Sequence, residues 1–439
     1  MVTTGDPAEA FARIQAEHAR CFWLDGGGAR DWSSGRSVLG WLEEADVSLS
    51  YDAALREVTR HAGGRAEVVG DDPFVVLEEE LAAGDGGDQW FGYFGYAARP
   101  DLPAAPDPHL PDAVWMRPSH VRMYEHQPAP TTPSVTLIEK FHRLSGETPT
   151  LPPTYRAAFA AVQEHLHAGN SYEVNLTHRL EQASTLTPAE VYLRLRSLNP
   201  APYAGFLQHD VPGARAWLLS SSPERYALVT TDRTLEAKPI KGTTPRAADP
   251  ATDDAAREHL RSEEKYAAEN LMIVDLLRND LAGVCEVGSV EVPHLMEVES
   301  YASVHQLVST VRGRLREDVG TVAALRSLFP AGSMTGAPKL RTMQIIDAVE
   351  ETPRGVYAGA FGWVAGDGRA DLGVVIRSLT TTGDGTYRLG TGGGITVASD
   401  AEEEYAETRW KAERLLAALA DPSDPADPTD PTDSVNEGR

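Results

Sequence analysis

The chain has 439 residues, 41% hydrophobic and 24% charged, which is ordinary for a globular protein with a large core. Its formal net charge of −25 and the lack of basic runs argue against nucleic acids and anionic membranes as partners. The N-terminal sequence does not resemble a secretion signal, and no apolar run is long enough to span a membrane. The two cysteines, Cys21 and Cys285, have no metal-like spacing, so we expect reduced thiols and a cytoplasmic location.

Composition divides the chain into three regions. Residues 1–150 form a front region that is interrupted by proline-rich stretches at 99–111 and 128–133, and residues 151–420 form a denser region. Residues 421–439 repeat Asp-Pro and contain almost no apolar side chains, so we expect a disordered tail there.

Hydrophobic periodicity predicts the elements of the denser region in chain order. The predicted helices cover residues 157–166, 189–197, 262–281, 338–350 and 402–420. The predicted strands cover residues 172–176, 216–219, 226–229, 359–364, 373–379 and 387–390. Because strands come in pairs between helices, an α+β fold with mixed sheets is favoured over a doubly wound one.

The predicted helix at 262–281 is apolar on nearly every side, so we expect it inside the protein. It also carries Glu269, Asp275, Arg278 and Asp280, and buried charges must be paired or bind an ion. A salt bridge of Arg278 with Asp275 or Asp280 would explain three of them. Glu269 has no obvious partner on the helix.

A second acidic segment places Glu404, Glu407 and Lys411 on one face of the predicted helix at 402–420. A solvated face is the ordinary explanation. Carboxylates supplied by two helices would also suit Mg²⁺, which takes oxygen ligands and shares them with an anionic substrate.

Two glycine-containing stretches could approach an anion. At the start of the helix at 338–350, Ser333 or Thr335 could cap the helix, and free N–H groups there attract carboxylates. Simple capping explains this pattern equally well. The run TGGGI at 391–395 allows a ligand to approach backbone amides closely.

Ten stretches recur in an order and spacing that extend over residues 153–416: SYEVNL, SSPERY, PIKGTTPR, AENLMIVDLLRNDL, VHQLVSTV, FPAGSMTGAPKLRTMQIID, GVYAGAFGW, VIRSL, TGGGI and EYAETRWK. Together they resemble the chorismate-utilising enzymes, a family of anthranilate, aminodeoxychorismate, isochorismate and salicylate synthases. The front region resembles the family only loosely, through FWLD at 22–25 and WFGYFGY at 90–96.

The resemblance implies two large sheets packed face to face with flanking helices, and chorismate bound in a cleft with Mg²⁺. Glu269, Glu404 and Glu407 match the metal ligands of the family. The candidate substrate-binding residues are Thr243, Ser333, Tyr357, Arg377, Gly392, Gly393, Gly394 and Lys411.

Lys241, in AKPIKGTTPR, distinguishes between branches of the family. Anthranilate synthases resemble this stretch but carry alanine at this position, whereas aminodeoxychorismate synthases carry PIKGT. The resemblance implies that Lys241 attacks ring carbon 2 of chorismate, that Glu224 protonates the departing 4-hydroxyl, and that ammonia then displaces the lysine. We expect burial or a nearby cation to lower the pKa of Lys241, and an apolar site to raise that of Glu224. A structural ion pair is the alternative for Lys241.

Two further positions depart from relatives. Isochorismate and salicylate synthases carry a water-activating lysine where this chain has Glu173, so amination is favoured over hydration. Many relatives have histidine at the position of Gln306, whereas the histidine of this chain, His305, is one residue earlier. On a helix an offset of one residue rotates the side chain by about 100° around the axis. We therefore give His305 no proton-transfer role. FWLD also lacks the serine of tryptophan-inhibited relatives, which weakens the case for tryptophan feedback.

Neither cysteine lies in an amidotransferase motif, so we expect a separate glutaminase subunit to supply ammonia. The expected activity is amino-group transfer to chorismate, which forms 4-amino-4-deoxychorismate for 4-aminobenzoate and folate or for a specialised pathway. An anthranilate synthase subunit and an inactive chorismate-binding homologue are the alternatives.

Overall fold

The structure is a computed structural model that describes residues 6–26, 35–126, 150–301 and 304–420. The proline-rich stretch at 128–133 and the Asp-Pro tail at 421–439 lie outside the described residues. Within the described part, no helix has the length and apolar character needed to cross a membrane.

The helices in chain order are α1 (Pro7–Glu17), α2 (Pro73–Ala83), α3 (Pro153–His167), α4 (Pro188–Leu198), α5 (Pro250–Ser262), α6 (Glu264–Ala282), α7 (Thr321–Leu328), α8 (Lys339–Val349) and α9 (Ala401–Ala418). The strands are β1 (Arg20–Asp25), β2 (Arg36–Trp41), β3 (Ser48–Asp52), β4 (Glu57–Ala62), β5 (Arg65–Gly70), β6 (Gln89–Phe94), β7 (Ala113–Met116), β8 (His120–Glu125), β9 (Glu173–Ala183), β10 (Tyr203–His209), β11 (Ala216–Ser222), β12 (Arg225–Val229), β13 (Thr234–Lys238), β14 (Ile240–Pro245), β15 (Glu291–Ser300), β16 (Val304–Arg314), β17 (Gly336–Ala337), β18 (Ala360–Ala365), β19 (Ala370–Val374), β20 (Ser378–Thr381) and β21 (Thr386–Ile395).

Two sheets contain these strands. The first has the order β17-β9-β21-β20-β11-β10-β1-β2-β8. The second has the order β14-β16-β13-β12-β19-β18-β6-β7-β3-β4-β5, with β15 also paired to β16. In each sheet the strands from residues 1–150 therefore lie together at one end and those from residues 151–420 at the other. The two groups meet where β1 pairs with β10 and where β6 pairs with β18.

Apolar side chains join the two sheets face to face. Phe22 of the first sheet stacks on Phe91 of the second, with ring centroids 4.0 Å apart, inside a buried cluster that includes residues from both sheets. The outer face of the first sheet packs on α1, α4 and α9 through residues such as Phe11 and Leu415. The outer face of the second packs on α2, α6 and α7. The result is four layers, with helices outside and two sheets inside.

The predicted α+β class and face-to-face sheets are confirmed, but the expected mixed pairing is wrong. Every strand pairing within the described ranges is antiparallel. The predicted strand at 373–379 is two strands, β19 and β20, which lie in different sheets. Helix α5 has no counterpart among the predicted elements.

Helix α6 is not enclosed on all sides, as its sequence suggested. Ile273 and Val274 are buried against the second sheet, whereas Leu271 is 55% exposed. Arg278 pairs with Asp275 at 3.3 Å on the outer surface of the helix. Asp280 is paired instead with Lys339 of α8, at 2.8 Å.

Candidate active site

The predicted site residues surround one cavity of about 570 Å³. The wall is formed by β14 and β21 on one side and by α6 and α9 on the other. It includes Glu224, Lys241, Thr243, Glu269, Ser333, Tyr357, Arg377, Gly392, Gly393, Gly394, Glu404, Glu407 and Lys411. The cavity therefore brings together residues that are up to 187 positions apart in the chain, from Glu224 to Lys411.

A bulge in β14 presents Lys241 to the cavity. Ile240 pairs with Val308 of β16 and Thr243 pairs with Gln306, so β14 has one extra residue between these two pairs. Such bulges re-aim a side chain next to a site. Gly242 follows with φ +90°, and a Cβ there would lie 2.8 Å from Leu260, so glycine suits both the backbone and the space.

Lys241 is held by a carboxylate. Its Nζ donates to Oε1 of Glu173 on β9 at 2.5 Å, and the two side chains are 10% and 1% exposed. Lys241 still lines the cavity, so this ion pair lies at the wall of the site. The prediction that Lys241 faces the cavity and the alternative that it forms an ion pair are thus both satisfied.

The expected lowering of the pKa of Lys241 is wrong for this state of the protein. Burial acts to lower the pKa, but the charges of Glu173 and Glu269 and the hydrogen bond that Lys241 donates to Glu173 outweigh it and raise the pKa. Lys241 is therefore an ammonium ion at neutral pH, and it must lose a proton before it can act as a nucleophile.

Glu224 follows β11 and lies on the wall beside Lys241. Burial raises the pKa of Glu224 to about 7, against smaller lowering effects from Ser333, Lys241 and Lys411. The predicted direction is confirmed, and the carboxyl can hold a proton near neutral pH.

Ser333 acts differently from the predicted cap. Helix α8 begins after Pro338 and has no side-chain cap, whereas Ser333 lies in a short 3₁₀ turn, Gly332–Met334. Its hydroxyl donates to Oε1 of Glu224 at 2.7 Å. The proline-containing approach to α8 explains why the capping prediction for Ser333 and Thr335 is wrong.

The three predicted metal ligands differ in their partners. Glu404 pairs with Lys265 at 3.0 Å and Glu407 pairs with Lys411 at 2.7 Å. Glu269 forms no hydrogen bond or ion pair with any described residue, and burial raises its pKa to about 7.

These carboxylates suit Mg²⁺ in donor chemistry. Among the described residues no three His, Cys, Asp or Glu side chains form a closed metal cluster. Mg²⁺ is commonly held by one or two carboxylates together with waters and substrate oxygens, so a closed cluster is not required. Glu269 is half-buried, has no ion-pair partner among the described residues and lies on the same wall as two more carboxylates, which fits such an ion.

The opposite part of the wall is suited to a carboxylate. Arg377 lies in the break between β19 and β20 with φ +50°, and its guanidinium lies over the ring of Trp410, 5.6 Å from the ring centroid. It has no acidic hydrogen-bond partner among the described residues. Burial lowers the pKa of Arg377, which indicates a poorly solvated cation. Tyr357, also buried, lies nearby.

The glycine run is part of β21 and not a loop. Gly393 pairs with Leu176 of β9, and Lys411 donates to the carbonyl of Gly392 at 2.9 Å on the other edge. Because backbone groups alternate along a strand, the N–H groups of Gly392 and Gly394 point to that second edge, towards the cavity. Elsewhere on the cavity wall, Gln306 donates to Oγ1 of Thr243 at 3.4 Å.

His305 lies outside the site, as expected, but for a different reason. Residues 304–314 form a strand and not a helix, so neighbouring side chains point to opposite faces. Gln306 lines the cavity, whereas His305 is buried between Ser300 and Asp253, at 2.8 and 3.1 Å.

Sequence reasoning missed several residues of the wall. The most important for charge is Lys265, which lies one helical turn before Glu269; this i, i+4 spacing could have indicated it. Trp410, next to Lys411, supports Arg377. No local pattern indicates that Glu173 contacts Lys241, because 68 residues separate them.

Comparison with known proteins agrees with this geometry. A family model described as chorismate binding enzyme matches residues 20–417. An aminodeoxychorismate synthase from Streptomyces pristinaespiralis is 39% identical over 94% of this chain, which spans 64% of that protein's length. The Escherichia coli aminodeoxychorismate synthase component 1 is 42% identical over 60% of this chain and 57% of its own length.

A solved structure shares the architecture. Anthranilate synthase component I from Streptococcus pneumoniae superposes with a TM-score of 0.70 at 25% identity. The superposition covers 94% of this chain and 97% of that one.

Proposed function

Because the chain belongs to the family of chorismate-binding enzymes, we propose that it aminates chorismate to 4-amino-4-deoxychorismate. The observation that carries this proposal is the buried Lys241 on the wall of the cavity, with Glu224 beside it. Relatives named aminodeoxychorismate synthase support the same reading.

In the proposed reaction Lys241, once deprotonated, forms a C–N bond to ring carbon 2 as the bond from carbon 4 to its hydroxyl breaks. Glu224 gives its proton to that hydroxyl, which leaves as water. A group with a pKa of about 7 is suited to this task, because it is substantially protonated at neutral pH and still transfers its proton readily. Ammonia then attacks carbon 4 and displaces the lysine.

Arg377, Tyr357 and the amides of Gly392 and Gly394 would hold the carboxylates of the substrate. Each lies on the cavity wall, and no carboxylate of residues 6–26, 35–126, 150–301 or 304–420 is paired with Arg377. A guanidinium and backbone N–H groups are the donors that carboxylates commonly engage.

Glu269, Glu404 and Glu407 would hold Mg²⁺. When bound, the ion would neutralise a substrate carboxylate and help to orient the ring. The lysines now paired with Glu404 and Glu407 would then be free to contact the substrate.

Ammonia would come from a glutaminase subunit. Neither Cys21 nor Cys285 lines the cavity, and both thiols are buried. Burial raises the pKa of Cys285 to about 11 and that of Cys21 further, which is opposite to the activation of a nucleophilic cysteine.

The test is an assay of the chain with chorismate, Mg²⁺ and either ammonium salt or glutamine. We expect 4-amino-4-deoxychorismate with ammonium salt, and none with glutamine until a glutaminase is added. Glutamine turnover by the chain alone would contradict the proposed partner. Chorismate left unchanged with ammonium and Mg²⁺ would contradict the proposed activity and indicate an inactive homologue.

Anthranilate formation is the second candidate, because the solved anthranilate synthase component I has the same architecture. That reaction also eliminates pyruvate and aromatises the ring. Lys241 disfavours it, since the resembling anthranilate synthases carry alanine there. Fluorescent anthranilate in the same assay would favour this candidate instead.

A further inference from the structure

The pair between Lys241 and Glu173 is enclosed within the protein. Both side chains are at least nine-tenths buried, and the second carboxylate oxygen of Glu173 is buried with no hydrogen-bond partner in the described part of the chain. Lys241 lines the cavity but Glu173 does not, so the carboxylate lies behind the amine as seen from the substrate. A proton on Lys241 thus has a direct acceptor on its far side.

The strands around Glu173 leave space for this carboxylate. On β21, a Cβ at Gly394 would lie 2.0 Å from Glu173 Oε1. On β17, a Cβ at Gly336 would lie 2.0 Å from the carbonyl oxygen of Glu173. Side chains at these positions would displace Glu173, so the two glycines leave the space in which it contacts Lys241.

The other carboxylates near Lys241 are poorly placed to take its proton. Glu224, after β11, must keep its own proton for the leaving hydroxyl in the proposed reaction. Glu269 of α6 acts on Lys241 through its charge without a hydrogen bond. Two others are already paired: Glu404 with Lys265, and Glu407 with Lys411.

We propose that Glu173 is the proton acceptor that converts Lys241 into a nucleophile, an inference that rests on the proposed amination. An N–H bond of the ammonium breaks and an O–H bond forms on Glu173, which leaves the lone pair on Nζ. That lone pair forms the bond to ring carbon 2 while Glu224 protonates the departing hydroxyl. No additional reactant is needed, because the proton moves only within the pair.

Glu173 reaches the reacting amine from the other sheet, since β9 belongs to the first sheet and β14, which carries Lys241, to the second. The residue acts on the reacting nitrogen and has no contact with the substrate cavity. Its loss should therefore change the rate of turnover more than the binding of chorismate.

The test uses Glu173→Gln, which keeps the shape of the side chain but cannot accept the proton. At pH 7 we expect kcat for ammonium-dependent amination to fall by about a hundredfold, the lower end for a lost general base, with KM changed less than threefold. Glu173→Asp retains a carboxylate, so its kcat should lie between those of Glu173→Gln and the wild type. Glu181→Gln, the same change on an exposed part of β9, is the matched control and should leave kcat unchanged.

The pH dependence separates a proton acceptor from a structural residue. In the wild type the proton moves inside the pair, whereas in Glu173→Gln it must leave for solvent. As the pH increases, the ratio of kcat for Glu173→Gln to kcat for the wild type should therefore increase, by at most about tenfold per pH unit. Using the ratio cancels the titration of Glu224, which affects both proteins.

Three outcomes decide the matter. A Glu173→Gln protein with wild-type kcat, or with a ratio that does not change with pH, overturns the inference while the proposed amination stands. A wild type that does not aminate chorismate removes the proposed function itself. If Glu173→Gln does not fold, the comparison of Glu173→Asp with wild type decides, and an unchanged kcat and pH profile there overturns the inference.

Discussion

Replacing Lys241 by methionine separates the chemical role of the amine from its structural one. The substitution keeps an unbranched side chain of similar length but removes the charge. It leaves Glu173, 1% exposed, without the cation that lies 2.5 Å away in the wild type. Two consequences follow, one for stability and one for turnover.

The magnitude for stability comes from the geometry. Unit charges 2.5 Å apart attract by about 7 kcal/mol at an effective dielectric constant of about 20. Desolvation of both charges offsets most of this attraction, so the intact pair contributes little net stability. Removing the lysine alone leaves the desolvation cost of Glu173, and we expect Lys241→Met to lower the free energy of unfolding by about 3 kcal/mol.

The double variant Lys241→Met with Glu173→Leu has no buried charge and should recover most of that loss. Neither variant should aminate chorismate above about a thousandth of the wild-type rate, because a nucleophile is missing in both. Denaturant unfolding at pH 7 measures stability, and product formation with ammonium and Mg²⁺ measures turnover. At pH 7 the full contribution of the pair is present, because the pKa of Lys241 is raised above its ordinary value of 10.5.

Either of two results would refute the reasoning. Lys241→Met that retains a tenth of the wild-type rate would show that the amine is not the nucleophile. Unchanged stability of Lys241→Met would show that Glu173 is not held as a buried anion.

Three further predictions concern the rest of the wall. The amination rate should fall about tenfold per pH unit above pH 7, because Glu224 loses its proton there. Ser333→Ala removes a hydrogen bond that lowers the pKa of Glu224. This variant should therefore move the falling limb of the pH–rate profile upward by about one pH unit. An upward shift is required; a downward one would contradict the proposed acid. Chelation by EDTA should abolish turnover, and added Mg²⁺ should restore it. In a Mg²⁺ titration Glu269→Gln should need at least about tenfold more Mg²⁺ than the wild type. An unchanged Mg²⁺ requirement would exclude Glu269 as a ligand. Arg377→Gln should raise KM for chorismate by about tenfold to a hundredfold in steady-state kinetics, because the charge-assisted contact of a poorly solvated guanidinium is lost. An unchanged KM would place the substrate carboxylates elsewhere.

The sequence indicated which residues lie together at one cavity better than it indicated their interactions. Periodicity located α6 and α9, and motif resemblance selected the residues that the structure brings to one cavity. Partner choice depends on tertiary geometry, which local patterns do not contain. Asp280 illustrates this, since its cation comes from α8 and not from its own helix.

The errors in secondary structure have physical causes. Four of the seven residues at 373–379 are apolar, with the β-branched run Val-Val-Ile at 374–376, a pattern typical of one strand. The chain instead leaves one sheet and enters the other within that segment, and the positive φ of Arg377 marks the crossing. Similarly, the apolar circumference of α6 suggested full burial, although one apolar side chain, Leu271, remains exposed.

The pairing of front strands with rear strands in both sheets has a consequence for engineering. In the first sheet β1 of the front region pairs with β10, and in the second β6 pairs with β18. Cutting the chain near residue 150 and discarding the front would uncover the unpaired edges of β10 and β18 together with their apolar faces, a combination that promotes aggregation. A chimaera that exchanges the front region with a relative must therefore match two seams of hydrogen bonds at once, and residues near position 150 are not a place for shortening the enzyme.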